Sequence, residues 1–217
     1  MQALDRILDY QDWITILFLV CFILLVIART QFPQRFEEFI SLMSSGKFIA
    51  FKGKENRAFH PFNILLLGIQ TAGISMFIFI AYRYFFETSL PPLILFIRIF
   101  TAYICFILIK AGVEKIIGNI FDLDEKMDYY LFQKLSYRNF ISLFLLFISL
   151  FLIYSVPPNG VIIWSTAAIT IFANIIGLVI IYKRNQSLLS AHWFYFILYL
   201  CALEIAPYII LYKLITI

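Results

Sequence analysis

PFNILLLGIQTAGISMFIFIAYRYFF, residues 61–86, decides the fold. Its single charged side chain is Arg83, near the C-terminal end. A helix needs about 20 mainly apolar residues to cross the hydrocarbon core of a bilayer, and this stretch exceeds that length. Working outward, the same kind of apolar block recurs at 13–28, 90–112, 139–156, 160–182 and 191–215. The spacing therefore predicts an all-α, polytopic transmembrane bundle of six spans that occupies residues 1–217 as one integral membrane domain. The first and fourth blocks are short and lean on flanking aromatic residues, whereas the second and sixth are long enough to tilt.

Composition agrees. The chain is 63% hydrophobic and 14% charged, against about 45–50% and about 25% for soluble domains. Its 25 Phe and 13 Tyr suit lipid-facing helices with aromatic anchors at the interfaces. The net charge of +4 would suggest nucleic acid in a soluble protein. Here the basic residues stand between apolar blocks, where they set orientation, so no nucleic-acid partner is expected. The three cysteines, Cys21, Cys105 and Cys201, all lie in apolar stretches without CxxC spacing and read as small core residues. Asp5, Asp9 and Asp12 take the place of the basic start of a cleavable signal, so the first apolar block is expected to stay in the mature protein.

Two junctions are tight turns: Glu87–Ser89 with Pro91-Pro92, and Pro157-Pro158-Asn159-Gly160. The longer loops on the other side carry Arg29, Arg35, Lys47, Lys52, Lys54 and Arg57, then Lys115, Lys126, Lys134 and Arg138, then Lys183 and Arg184. Loops rich in Lys and Arg stay cytoplasmic. That rule puts both termini outside, with only Arg6, Arg83 and Lys213 on the outer side.

Two cytoplasmic segments carry helical patterning. In 34–45, Phe36, Phe39, Ile40 and Met43 repeat at three and four, which predicts a short amphipathic helix. In 122–136, Asp122 stands where a cap would, with Glu125 three residues on, and Met127, Tyr130, Leu131 and Leu135 form one stripe. Either surface can dock a partner. Packing against the bilayer or the bundle is the simpler expectation.

Ionisable groups inside a membrane are expensive and are candidate sites by default. Arg98 in the third span and Glu204 in the sixth lie roughly 10 Å and roughly 15 Å below the outer surface at 1.5 Å per residue. The depths are nearly the same, and an intramembrane ion pair is expected, either an architectural lock or a transport site. Pro207, three residues after Glu204, frees the carbonyl of Leu203 and marks a helix break. Lys110 with Glu114, and Arg83 with Glu87, are four apart and read as interfacial anchors. His60 and His192 both stand at span starts. No Cys or carboxylate cluster supports them as a metal or haem pair, so helix-start roles are expected. Asn63, Gln70 and Asn174 are candidates for hydrogen bonds between helices. No HExxH, GxSxG, P-loop or GxGxxG pattern is present, and no catalytic, cofactor-binding or metal-binding set is expected.

The run WFYFILYLCALEIAPYIILYKL, Trp193 to Leu214, resembles the last span of a family of bacterial integral membrane proteins known only as a domain of unknown function. The matching positions are Leu203, Glu204, Ile205, Pro207, Tyr212 and Lys213, with His60-Pro61-Phe62-Asn63 fitting as well. The resemblance implies a bacterial inner (cytoplasmic) membrane location and supplies no activity. The expectation from the sequence is a non-enzymatic subunit or scaffold of a cell-envelope complex, in contact with the bilayer and with other membrane proteins. The alternative is a small transporter or lipid-handling protein that uses Arg98 and Glu204.

Overall fold

A computed structural model describes residues 12–44, 60–120, 124–155 and 158–184. These form six helices: α1 (Asp12–Gln31), α2 (Pro33–Ser44), α3 (Pro61–Phe85), α4 (Pro92–Ile120), α5 (Asp124–Tyr154) and α6 (Gly160–Arg184). Five of them, all but α2, are long and apolar enough to cross a membrane. The expected sixth span at 191–215 lies outside the described residues.

The helix starts follow local chemistry. Pro33, Pro61 and Pro92 open α2, α3 and α4, where a missing N–H costs nothing because the first-turn donors have no partner inside the helix. His60 caps α3, its Nδ1 accepting from Phe62 N at 3.2 Å. Pro33 also ends α1, since it has no N–H to give to the carbonyl four residues back. The chain turns there through Phe32 and continues as α2.

The segment at 122–136 is not separate from the span that follows it. Asp124–Tyr154 is one helix of 31 residues, with no Gly or Pro to stop it. Its membrane-compatible length runs Leu131–Tyr154.

Consecutive spans alternate in direction, so the bundle has two unlike ends. At one, Trp13 meets Phe79 and Phe96 at ring-centroid distances of 5.7 and 5.1 Å, and Thr15 Oγ1 and Tyr154 OH are 2.6 Å apart. This aromatic end ties the starts of α1 and α4 to the finishes of α3 and α5. At the other, basic end, Phe32 meets His60 and Phe62, and Phe39 meets Phe62 and Phe140, at 5.2 to 6.3 Å. Phe39 is buried there, so the apolar face of α2 is seated on α3 and α5. Aromatic pairs at these separations contribute about 0.5–1.5 kcal/mol each beyond their burial.

Helix α3 is the axis of the bundle and packs against α1, α4 and α5. It is the most enclosed span, while α1, α4 and α6 turn most of their surface outward. Val161, Trp164, Ile109 and Phe172 are exposed on that outer surface, as side chains facing lipid would be. The α3–α5 contact is close at one point. A Cβ added to Gly73 would lie 2.9 Å from the Ser142 carbonyl oxygen and 3.3 Å from Leu146 Cβ. Small residues at a crossing let two backbones approach in this way, and in lipid that van der Waals packing is a main source of helix association.

Candidate functional site

The close approach of α3 and α5 falls midway along both spans, and polar residues gather around it. On α3, Asn63, Gln70, Thr71 and Ser75 are buried; on α5, Gln133, Lys134, Ser136, Asn139, Ser142 and Ser149 are buried. Asn139, Ser142 and Ser149 share one face of α5, at spacings of three and seven. Some of these groups are satisfied within their own helix. Thr71 Oγ1 donates to Gly68 O at 2.8 Å, and Ser142 Oγ donates to Asn139 O at 2.7 Å.

Others are not. Gln70 is fully buried, and its Nε2 donates to Tyr103 OH on α4 at 3.4 Å, a long bond, while Oε1 has no partner. Turning the amide over exchanges which of its atoms is left and does not remove the shortfall. Asn139 is 3% exposed, and neither its Oδ1 nor its Nδ2 has a partner. The hydroxyls of Ser75 and Ser149 are in the same state. Each buried unsatisfied group costs about 1–3 kcal/mol in proteins generally, and a bilayer offers no solvent to relieve it. Gln70 and Asn139 each precede the Gly73–Ser142 contact by three residues on parallel helices, so they stand at the same depth. Gln70 and Tyr103 join α3 to α4, and Asn139 is buried on α5.

The residues singled out from sequence fall elsewhere. Arg98 lies on the exposed side of α4 and has no ion-pair partner among the described residues. Its expected partner Glu204, and Pro207, lie outside the described residues. On α2, Phe36 is half-buried and touches Phe39 at 6.4 Å, Phe39 is buried, and Ile40 is exposed. Met43 is in α2, and Met127 and Tyr130 are in α5, with their side chains outside the described set. Leu131 is buried and Leu135 half-buried along α5. Lys110, expected as an interfacial anchor, is buried at 7% exposure near the basic end. Asn174 turns back on its own helix, donating from Nδ2 to Thr170 O at 2.8 Å. Gln70 does reach a neighbouring helix. Asn139 and the α5 serines were missed, although a three-and-seven spacing of polar residues in an apolar run was there to find them.

Residues 14–215 match the family described as Domain of unknown function (DUF4271). The chain belongs to that family. No curated protein and no solved structure matches it. The DUF4271 match begins within α1 and runs past α6, so the buried polar residues of α3 and α5 lie within the family domain. Among the described residues, no group of three or more His, Cys, Asp or Glu side chains is placed to hold a metal ion.

A second feature lies on the outside of the bundle. A groove of about 470 Å³ runs between α1 and α5, lined by Thr15, Phe18, Phe22, Ile27, Leu150 and Tyr154 among others. The Thr15–Tyr154 hydroxyl pair stands at its aromatic end, and the rest of its wall is aliphatic and aromatic.

Proposed function

We propose that this DUF4271 protein is a non-enzymatic integral membrane subunit or scaffold of a bacterial cell-envelope complex. It spans the inner membrane six times, with the basic end of the bundle facing the cytoplasm. The observation that carries the reading is the apolar groove between α1 and α5. A concave, lipid-side surface of this kind is a place for another apolar element to seat, and large apolar patches of defined shape mark interaction sites. The amphipathic face of α2 is already occupied by α3 and α5 through Phe39, which leaves the groove as the better docking surface. The partners are other membrane proteins and the bilayer itself.

The test is purification of the tagged protein in mild detergent, with mass spectrometry of whatever is retained, repeated for Leu19→Trp and Ile23→Trp. Both positions line the groove and are exposed, so the larger side chains fill it without touching the core. A membrane protein recovered in stoichiometric amount with the wild type and lost with both variants supports the subunit reading. Recovery of a monodisperse chain alone sinks it.

A second reading is a small transporter, and the buried polar residues of α3 and α5 favour it. The residues to test would then be Gln70 and Asn139, with Arg98 exposed within the α4 span.

A further inference from the structure

Helix α4 carries two cations within its membrane-compatible length, Pro92–Val113, and treats them oppositely. Lys110 is buried and interacts with its neighbours. Arg98 is exposed and meets no carboxylate among the described residues. It stands about 9 Å along the axis from Pro92, at 1.5 Å per residue. A charge inside the hydrocarbon region is expensive unless a counter-charge or the interface relieves it. The described helices of this chain supply no counter-charge to Arg98.

The surface around Arg98 is ordered in a way that suits a helix. Ile94, Arg98, Thr101, Cys105 and Leu108 are all exposed, and they recur at intervals of four and three, which sets them in one line down α4. Leu95, Phe96 and Ile107, on the other side, are buried. Four-three spacing is that of a seam between two helices. Next to Arg98 the line narrows to two small side chains, Thr101 and Cys105. Thr101 donates its hydroxyl to the Ile97 carbonyl of its own helix, so it presents a small surface without a free donor. Small residues let a second helix approach closely, whereas lipid chains mould to any surface and gain nothing from them. A carboxylate on that second helix, at the depth of Arg98, is the complement of the one charge in the line. A guanidinium takes a carboxylate through two parallel hydrogen bonds, and the pair spares each group the penalty of standing alone in lipid.

We propose that the outward face of α4 docks a transmembrane helix of another membrane protein, recognised by an intramembrane Asp or Glu that pairs with Arg98 and by close contact over Thr101 and Cys105. The inference rests on the subunit reading and goes beyond it, since it names the chemistry of a partner and a surface apart from the α1–α5 groove.

The probe is a leucine-rich transmembrane peptide with one Asp at the depth of Arg98, compared with its Asn twin. The full chain, carrying a fluorescence donor, is reconstituted in phosphatidylcholine vesicles with acceptor-labelled peptide, and energy transfer reads association. The Asp peptide is expected to bind the wild type roughly tenfold more tightly than the Asn peptide. Arg98→Met should erase that preference, Arg98→Lys should keep part of it, and Cys105→Phe should weaken both peptides. The wild-type comparison and Arg98→Lys decide the matter if Arg98→Met does not fold. Equal binding of the two peptides overturns the proposal, as does an Asp preference that survives Arg98→Met. A preference abolished by adding phosphatidylglycerol to the vesicles overturns it in favour of a lipid headgroup at Arg98. One that appears only in Glu204→Gln overturns it in favour of an occupant from this chain. The comparison needs no endogenous partner, so its failure is distinct from recovery of the chain alone in detergent, which sinks the subunit reading.

Discussion

Gly73→Ala is the sharpest probe of the bundle. An alanine Cβ there would stand 2.9 Å from the Ser142 carbonyl oxygen and 3.3 Å from Leu146 Cβ. The first neighbour is backbone and cannot rotate away, so α3 and α5 must separate by about half an ångström to reach ordinary contact, enough to forfeit roughly a quarter of the dispersion well between the facing atoms. Overpacking of this kind costs about 1–3 kcal/mol. Against it stands the helix propensity of Ala over Gly, up to about 1 kcal/mol. Gly112→Ala isolates that second quantity, because nothing lies within 4 Å of a Cβ at Gly112. The difference between the two variants should therefore be about 1–3 kcal/mol, with Gly73→Ala the less stable. Denaturant unfolding in mixed micelles, followed by far-UV circular dichroism, reads both. Leu146→Ala should not rescue Gly73→Ala, since the closer contact is with a backbone atom. Equal stability of the two alanine variants would refute a tight α3–α5 crossing at Gly73.

Phe39→Ala should release α2 from the bundle at a cost of about 3 kcal/mol, seen as faster tryptic cleavage after Arg35 with the spans intact. His60→Ala removes the cap that receives Phe62 N and should cost about 1 kcal/mol, whereas His60→Asn should recover most of it; thermal unfolding of the pair checks this. Arg98→Met should leave folding intact and ease membrane insertion by about 2.5–3.5 kcal/mol, measured in a glycosylation-based insertion assay. Collapse of Arg98→Met, with parallel collapse of Glu204→Gln, would show instead that the charge is held in a pair.

The spans were legible because length and hydropathy suffice for them: the apolar blocks beginning at Trp13, Pro61, Leu90 and Gly160 are helices to within a residue or two of where expected. The repeat of Phe36, Phe39 and Ile40 likewise marks α2. What hydropathy conceals is which way a residue faces. In a soluble helix the apolar stripe marks the core, but lipid-facing and core-facing positions of a span are both apolar, so the periodicity fades. Arg98 is the consequence. Its position within an apolar span was readable from sequence, while its place on the outward side of α4 was not. Asn139 was hidden for a different reason. Lys134 and Arg138 precede it, so it read as the edge of a loop, and only the continuity of α5 brings it inside.

The placement of polarity in this bundle follows from its solvent. With lipid outside, burying apolar surface gains little, and helices are held by close packing and by polar contacts between them. The axis helix α3 accordingly carries the small and polar residues Gly68, Gln70, Thr71, Gly73 and Ser75, and α5 buries Asn139, Ser142 and Ser149. Such a core has few ways to shift, because a backbone oxygen sits where Gly73 has no side chain. The outward surfaces of α1, α4 and α6 are under no such constraint and are mostly aliphatic and aromatic, Arg98 on α4 apart. A rigid polar interior under an adaptable apolar exterior is the arrangement a membrane scaffold needs. On the proposed scaffold reading, a partner seated at the α1–α5 groove would leave the α3–α5 crossing undisturbed, so variants filling the groove and variants crowding Gly73 should separate binding from folding.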